Sequence, residues 1–226
     1  MVGIQPKADD VTKTADSAVA VALAGAPDWR VYPPLALGPI LTVALAQFVE
    51  HGYDATTVRT IARQVGVTVP ALYYHFENKQ AILVALLDHA MTTVSSHVDA
   101  AIAEAGEAGE APAERFAAIV EAVVLYMAHH RDLAFLDSER RALTPTNRAR
   151  YVAHRDRLEQ KLRETIEAGR RSGVFRTDDA ASCGRAILSM CQGIAGWYRP
   201  DGPDTPEGTA ARYVRIALAA VEYTGR

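Results

Sequence analysis

Apolar residues along this chain recur with a helical period and nowhere with a sustained strand-like alternation, which predicts an all-α fold. Leu37, Ile40, Leu41, Ala44, Leu45 and Phe48 fall at i, i+3, i+4, i+7, i+8 and i+11 and make an amphipathic helix that ends at Gly52. Val58, Ile61, Ala62 and Val65 repeat the pattern up to Gly66. After Asn78 a long helix carries Ile82, Leu83, Leu86, Leu87, Val94, Val98 and Ile102, then fades into EAGEAGEAP, which has the composition of a linker. Pro112 opens another helix, with Phe116, Ile119, Val120, Val123, Val124 and Met127 on one broad face. A shorter helix is expected from Arg131 to Leu143, and a strongly charged one from Asn147 to Arg171, closed by Ser172 and Gly173. Two more follow, from Ala180 to Tyr198 and from Pro206 to Tyr223. Residues 1–34 hold Pro27, Pro33 and Pro34 without an apolar period and are expected to form a flexible arm.

The stretch TIARQVGVTVPALYYHFENK, residues 60–79, stops one helix and starts another almost at once. Gly66 accepts the positive φ common at a helix C-cap, Thr68 can cap the next helix with its hydroxyl, and Pro70 is tolerated in the first turn, where its missing N–H is not needed. Leu72 and Phe76 can pack back onto the first helix, while Pro70, Tyr73, Tyr74 and Glu77 fall on a different stripe that this packing leaves free. Two helices crossed by a tight glycine turn, the second presenting aromatic and hydrogen-bonding groups, have the form of a helix-turn-helix that offers its second helix to the DNA major groove.

The longer run HGYDATTVRTIARQVGVTVPALYYHFENKQAILVALL, from His51 to Leu87, resembles the DNA-binding segment of TetR-family transcriptional regulators. The resemblance implies an N-terminal three-helix DNA-binding domain over residues 35–80 and a larger helical ligand-binding and dimerisation domain over 81–226. It also implies a homodimer on a double-stranded operator whose half-sites form an inverted repeat, released by a small-molecule effector with no resident cofactor. Within this frame Pro70, Ala71, Tyr73 and Tyr74 are expected to meet bases, with Val69 at the border and Thr68 at the helix start. Thr57, His75 and Lys79 are expected to hold phosphates. The stretch GWYRPDGPDTPEG resembles a subgroup of the family that includes regulators of lipid and sterol catabolism responsive to acyl-CoA thioesters.

Charge complicates the picture. The chain carries a net charge of −3. From Leu35 to Ala90 the cations Arg59, Arg63 and Lys79 face four acids, Glu50, Asp54, Glu77 and Asp88. Phosphate contact must therefore lean on backbone N–H groups at helix starts, near Thr57 and Asn78. Arg30 is the cation nearest the first helix, and VYPPLALGP offers no other, so a minor-groove role for the arm lacks its usual basic residues.

Catalysis finds no support. The seven histidines include no His-x-x-x-His pair, and no serine elbow, glycine-rich phosphate loop or Cys-x-x-Cys accompanies them, so no metal is expected. A helical protein-interaction module without DNA binding is the distant alternative. Cys183 and Cys191 lie eight residues apart on one helix, about 12 Å, too far for a disulfide. The chain is expected in the cytoplasm, since it shows neither a long uncharged apolar run nor the pattern of an export signal.

The middle helices offer Phe116, Tyr126, Met127, Phe135, Met190, Gln192 and Trp197 as candidates to line an effector cavity, each of which suits a core equally well. Arg140 stands ready for a phosphate at the mouth, so an acyl-CoA thioester and a small aromatic or drug-like molecule are the two effector classes. Glu159 with Arg163 and Glu167 with Arg171 have favourable i, i+4 spacing. Recurrent small residues from Ala180 to Gly196 suit close helix approach, and the resemblance assigns this to pairing between subunits.

Overall fold

The computed structural model describes residues 28–106 and 111–225. Among these the chain forms nine α-helices and no strand: α1 (Pro39–His51), α2 (Val58–Val65), α3 (Val69–His75), α4 (Lys79–Ala105), α5 (Pro112–His129), α6 (Arg131–Phe135), α7 (Pro145–Ser172), α8 (Ala180–Trp197) and α9 (Pro206–Ala220). A 3₁₀ turn, Leu136–Ala142, joins α6 to α7. The glycine- and glutamate-rich stretch after α4 and most of the expected arm, residues 1–27, fall outside the described residues.

The element boundaries depart from expectation where side chains compete with the helical backbone. The single helix expected over 131–143 breaks into α6 and the 3₁₀ turn, because Ser138 Oγ donates to the Phe135 carbonyl at 2.8 Å and Arg140 donates to that of Asp137 at 3.1 Å. Helix α7 starts at Pro145 rather than Asn147: proline takes the first position while Thr144 Oγ accepts the Asn147 N–H. Helix α9 ends at Ala220 because the chain then turns back, with Arg176 N–H bonding the Val221 carbonyl and Thr224 N–H that of Val174. The expected i, i+4 pairs on α7 do not form. Glu159 faces Arg185 at 3.7 Å, Arg163 donates to Gln160, and Glu167 pairs with Arg170 at 3.2 Å.

Helix α5 is the axis of the larger part. From Phe116 to Ala128 almost every side chain is buried, under α4 on one side and α9, α8 and α7 on the others, so it is apolar nearly all round rather than on one face. Helix α4 is apolar and long enough to span a membrane by composition, but Ile82, Leu83, Leu86, Leu87, Val94 and Val98 are buried within the fold. Its N-terminal half also packs against α1, joining the two domains.

Residues 28–34 correct the expectation of a flexible arm, because they are laid on α4 and α5. Trp29 is 3% exposed, and its Nε1 donates to Glu104 at 2.7 Å. Arg30 stacks over the Trp29 ring and pairs with Glu104 and Glu121 at 2.8 and 2.9 Å. Tyr32 is stacked between His97 and His129, at ring-centroid distances of 4.1 and 4.8 Å. Two aromatic rings outweigh the local lack of periodicity. Arg30 is thus held by the larger domain.

His130 meets the edge of Tyr32 and lies buried beside His97, His129 and His89. Burial, reinforced by these neighbours, lowers its pKa to about 4. The unfolded chain therefore binds a proton that the folded chain refuses between the ordinary histidine pKa and about 4, and stability falls as pH drops through that window. Urea midpoints measured between pH 7 and 4 should fall accordingly, and His130→Phe should flatten the dependence.

Candidate DNA interface and effector cavity

The turn between α2 and α3 has the geometry its residues suggest. Gly66 lies at φ +81°, ψ 26°, and its N–H bonds the Ala62 and Arg63 carbonyls. Thr68 Oγ accepts the Ala71 N–H at 3.2 Å, with Pro70 in the first turn of α3. Leu72 is fully buried beside Ile61 and Ala62 in the common core. That packing aims the rest of α3 outward: Tyr74 is 88% exposed and Tyr73 48%. Thr57, Thr68, Pro70, Ala71 and His75 are also exposed, and Val69 is half-buried. Thr57 caps α2 by accepting the Thr60 N–H at 3.0 Å.

Lys79 departs from its expected part. Its ammonium donates to the carbonyls of Tyr53 (2.7 Å), Thr56 (2.9 Å) and Asp54 (3.4 Å), and lies 4.1 Å from the centre of the Tyr53 ring. An ammonium has three donors, and all three are engaged. The residue ties the loop between α1 and α2 to the start of α4. Among the described residues of the DNA-binding part, the exposed cations are Arg59 and Arg63 on α2, and neither forms an ion pair.

A cavity of about 240 Å³ opens between α4, α5, α6, α7 and α8. Its inner wall is apolar, with Met91, Val94, Val123 and Leu133 all buried. On its polar side Asp137 gathers Arg140 (2.6 Å), the Tyr151 hydroxyl (2.8 Å), Gln192 Nε2 (2.9 Å) and Arg155 (3.6 Å). Burial raises the pKa of Tyr151, and the charge of Asp137 adds to the shift, so the phenol keeps its proton and donates it. Arg155 and Arg185 stand at the outer rim with Asp156 and Glu159. Tyr126 also lines the cavity. Its hydroxyl is the one buried side-chain polar atom without a hydrogen-bond partner among the described residues, and burial raises its pKa too.

The fold brings together three of the eight candidate lining residues, Tyr126, Met127 and Gln192. Phe116 is buried against Phe175, its ring 5.2 Å away, on another part of α5. Phe135 is 39% exposed, and Trp197 is 45% exposed on the outer side of α8, where it stacks with Tyr213. Met190 is half-buried and does not line the cavity. Arg140 does not line it either, because Asp137 three residues earlier on the same turn holds its guanidinium. Asp137, Tyr151 and Arg155 were not foreseen. The signal for Tyr151 and Arg155 was the stripe Tyr151, Arg155, Leu158 and Leu162 on α7, half concealed by its many charges, and Asp137 on the turn before it had none.

An exposed recognition helix behind a glycine turn, carried by an all-helical cavity domain, is the arrangement of a helix-turn-helix transcription regulator. The chain belongs to the TetR family. Residues 40–86 match the family of bacterial regulatory proteins of the tetR type, and residues 109–221 match the tetracyclin repressor-like C-terminal domain. The HTH-type transcriptional repressor KstR2 of Mycobacterium tuberculosis is 29% identical over 194 residues, covering 83% of this chain and 94% of that protein. A tetR-family regulatory protein from Rhodococcus RHA1 superposes with a TM-score of 0.76 at 30% identity, over 82% of this chain and 96% of the other. AibR, solved with isovaleryl coenzyme A and operator DNA, superposes with a TM-score of 0.71 at 25% identity, over 78% of this chain and 95% of the other.

Lys79 and Tyr74 should separate in a salt titration of operator binding. Removing a phosphate contact flattens the log–log slope by about 0.9 per subunit. Lys79→Ala should instead weaken binding about tenfold at every salt concentration with its slope nearly unchanged, because it loosens a loop. Tyr74→Ala should weaken specific binding and spare non-specific binding.

Proposed function

We propose that the protein is a repressor that binds an inverted-repeat operator as a homodimer and releases it when a short acyl-CoA thioester enters the cavity. The observation that carries the effector assignment is the cavity itself: an apolar inner wall, a polar side gathered on Asp137, and Arg155 and Arg185 in its lining. Arg155 and Arg185 can meet phosphates as the acyl group goes inward. The complex of AibR with isovaleryl coenzyme A supports a short or branched acyl group on the thioester.

On the DNA side, Pro70, Ala71, Tyr73 and Tyr74 are assigned to bases, with Val69 bordering them and Thr68 capping. Thr57 and His75 are assigned to phosphates, joined by Arg59 or Arg63. Two such readers on a twofold axis require half-sites related in the same way.

The dimer face is assigned to α8 and α9. Ala186, Met190, Gly193 and Trp197 share one stripe on α8, and Ile216 on α9 is 52% exposed. A Cβ at Gly193 or Gly196 would meet nothing within 4 Å. Packing within the chain therefore does not require these glycines, although each costs about 0.5–1 kcal/mol of helix stability against alanine. Close approach by a second copy supplies the reason. Gly193→Arg should leave the subunit folded, since the site is open, while light scattering shows monomers and operator binding is lost. A dimer that survived this change would move the interface elsewhere.

The effector assignment is tested by titrating the protein–operator complex with isovaleryl-CoA, octanoyl-CoA, palmitoyl-CoA and the matching free acids. Release by the two short thioesters at concentrations at least tenfold below palmitoyl-CoA is expected. Release by free acids alone, or by none of the panel, would sink the thioester and favour a small aromatic ligand.

A further inference from the structure

The segment from Arg131 to Ala142 touches the cavity on one side and the DNA-binding part on the other. Leu133, Ala134 and Asp137 face the cavity. The Asp137 side chain is 14% exposed and gathers groups from α7 and α8 as well as Arg140 of its own turn. Two residues further on, Glu139 Oε1 accepts the backbone N–H of Tyr53 at 3.2 Å. Helix α6, immediately before, packs against α1.

Tyr53 lies near the start of the loop of residues 52–57, which ends on Thr57, the cap of α2. Lys79 holds three carbonyls of this loop from α4, and Glu139 holds an N–H of it from the 3₁₀ turn. Both holding elements also line the cavity, α4 through Met91 and Val94 and the turn through Asp137. Gln80, beside Lys79, secures the far end of the turn by donating to the Ala142 carbonyl and accepting from Thr144 N–H and Asn147 Nδ2. A 3₁₀ piece set between α-helices is a common hinge, because its hydrogen bonds are poorer than those of the helices beside it.

We infer that Glu139 is a positioning residue of the DNA reader, through which the arrangement around Asp137 at the cavity wall sets the loop that begins α2. The inference rests on the assignment of the cavity as the effector site. A ligand that draws Gln192, Tyr151 or Arg155 from Asp137 loosens the turn at its cavity end. Glu139 then shifts against Tyr53, and the start of α2 moves with the loop. The direction is fixed by the holds already described: Gln80 anchors the Ala142 end, so displacement at Asp137 appears at Glu139.

Hydrogen exchange at the Tyr53 amide tests this in the full chain without any ligand. Asp137→Asn should speed that exchange about tenfold, and Glu139→Ala by at least as much. The double variant should exchange no faster than Glu139→Ala alone, because both changes act through one contact. Glu139→Gln should stay near wild type, since its amide oxygen still accepts the N–H. Operator affinity should weaken in the same order. The Ile119 amide in buried α5 reports global unfolding. If it sped up with Tyr53 in equal measure, the effect would be general destabilisation and the inference would fail. It would fail equally if Asp137→Asn left Tyr53 unchanged, or if the two single effects multiplied. Because no thioester enters the measurement, a failed thioester titration and a failed coupling are separate results.

Discussion

Everything in the larger part of this protein depends on burying α5 on nearly all its sides. Phe116, Ile119, Val120, Val123, Val124 and Leu125 are each at most 2% exposed, and full burial of such side chains contributes about 1.5–3 kcal/mol apiece. A helix surrounded in this way leaves its neighbours little freedom. Helices α4, α7, α8 and α9 must each turn an apolar stripe toward it and a polar one away. The cavity lies where that wrapping is incomplete, between α5 and the polar edges of α7 and α8. Its walls therefore combine core residues such as Val123 with charged ones such as Arg155.

That mixture explains why Asp137 is so heavily engaged. A carboxylate largely withdrawn from water needs hydrogen bonds and a counter-charge to offset its lost hydration. Here two arginines, a tyrosine and a glutamine supply them. The set is satisfied without a ligand, and three of its members, Tyr151, Arg155 and Gln192, line the cavity. Arg140 shows the consequence for recognition: it is a cation close to the cavity in the chain, yet Asp137 holds it at 2.6 Å outside the lining, whereas Arg155, 3.6 Å from the same carboxylate, and Arg185, facing Glu159, line the cavity.

The sequence was most legible where structure is local. Gly66, Thr68, Pro70 and Leu72 define the helix-turn-helix within seven residues through caps, a positive φ and one buried contact, and the exposure of Tyr73 and Tyr74 follows from helical geometry. Among the described residues the number of helices followed from periodicity. The cavity was legible only in part, because its lining converges from five helices and the turn after α6. Phe116 and Met190 have the right chemistry on the right helices, but Phe116 sits too far along α5 and Met190 at the wrong azimuth of α8. Long polar side chains were the other blind spot. Lys79 and Arg30 look like cations free for DNA, but they reach back to carbonyls of the loop and to Glu104 and Glu121, partners 23 to 91 residues away in the chain. Trp29 and Tyr32 were hidden for the opposite reason: two aromatic rings set among prolines fasten a segment without any period to reveal it.

The energies at the domain junction suit a switch. Coupling between an effector and DNA typically amounts to about 1–3 kcal/mol. A neutral hydrogen bond contributes about 0.5–1.5 kcal/mol net, and one to a charged group about 1.5–3 kcal/mol. The loop of residues 52–57 is held by a charged acceptor, Glu139, and a charged donor, Lys79. Weakening the Glu139 contact alone thus changes the loop by an amount comparable to the whole coupling, while the three bonds of Lys79 keep it from unfolding. The core of the reader, Phe48, Ile61 and Leu72, need not repack. In the proposed dimer, the change would fall on the placement of an intact reader relative to its partner. DNA is sensitive to that placement because two half-sites fixed one helical turn apart tolerate little error in spacing.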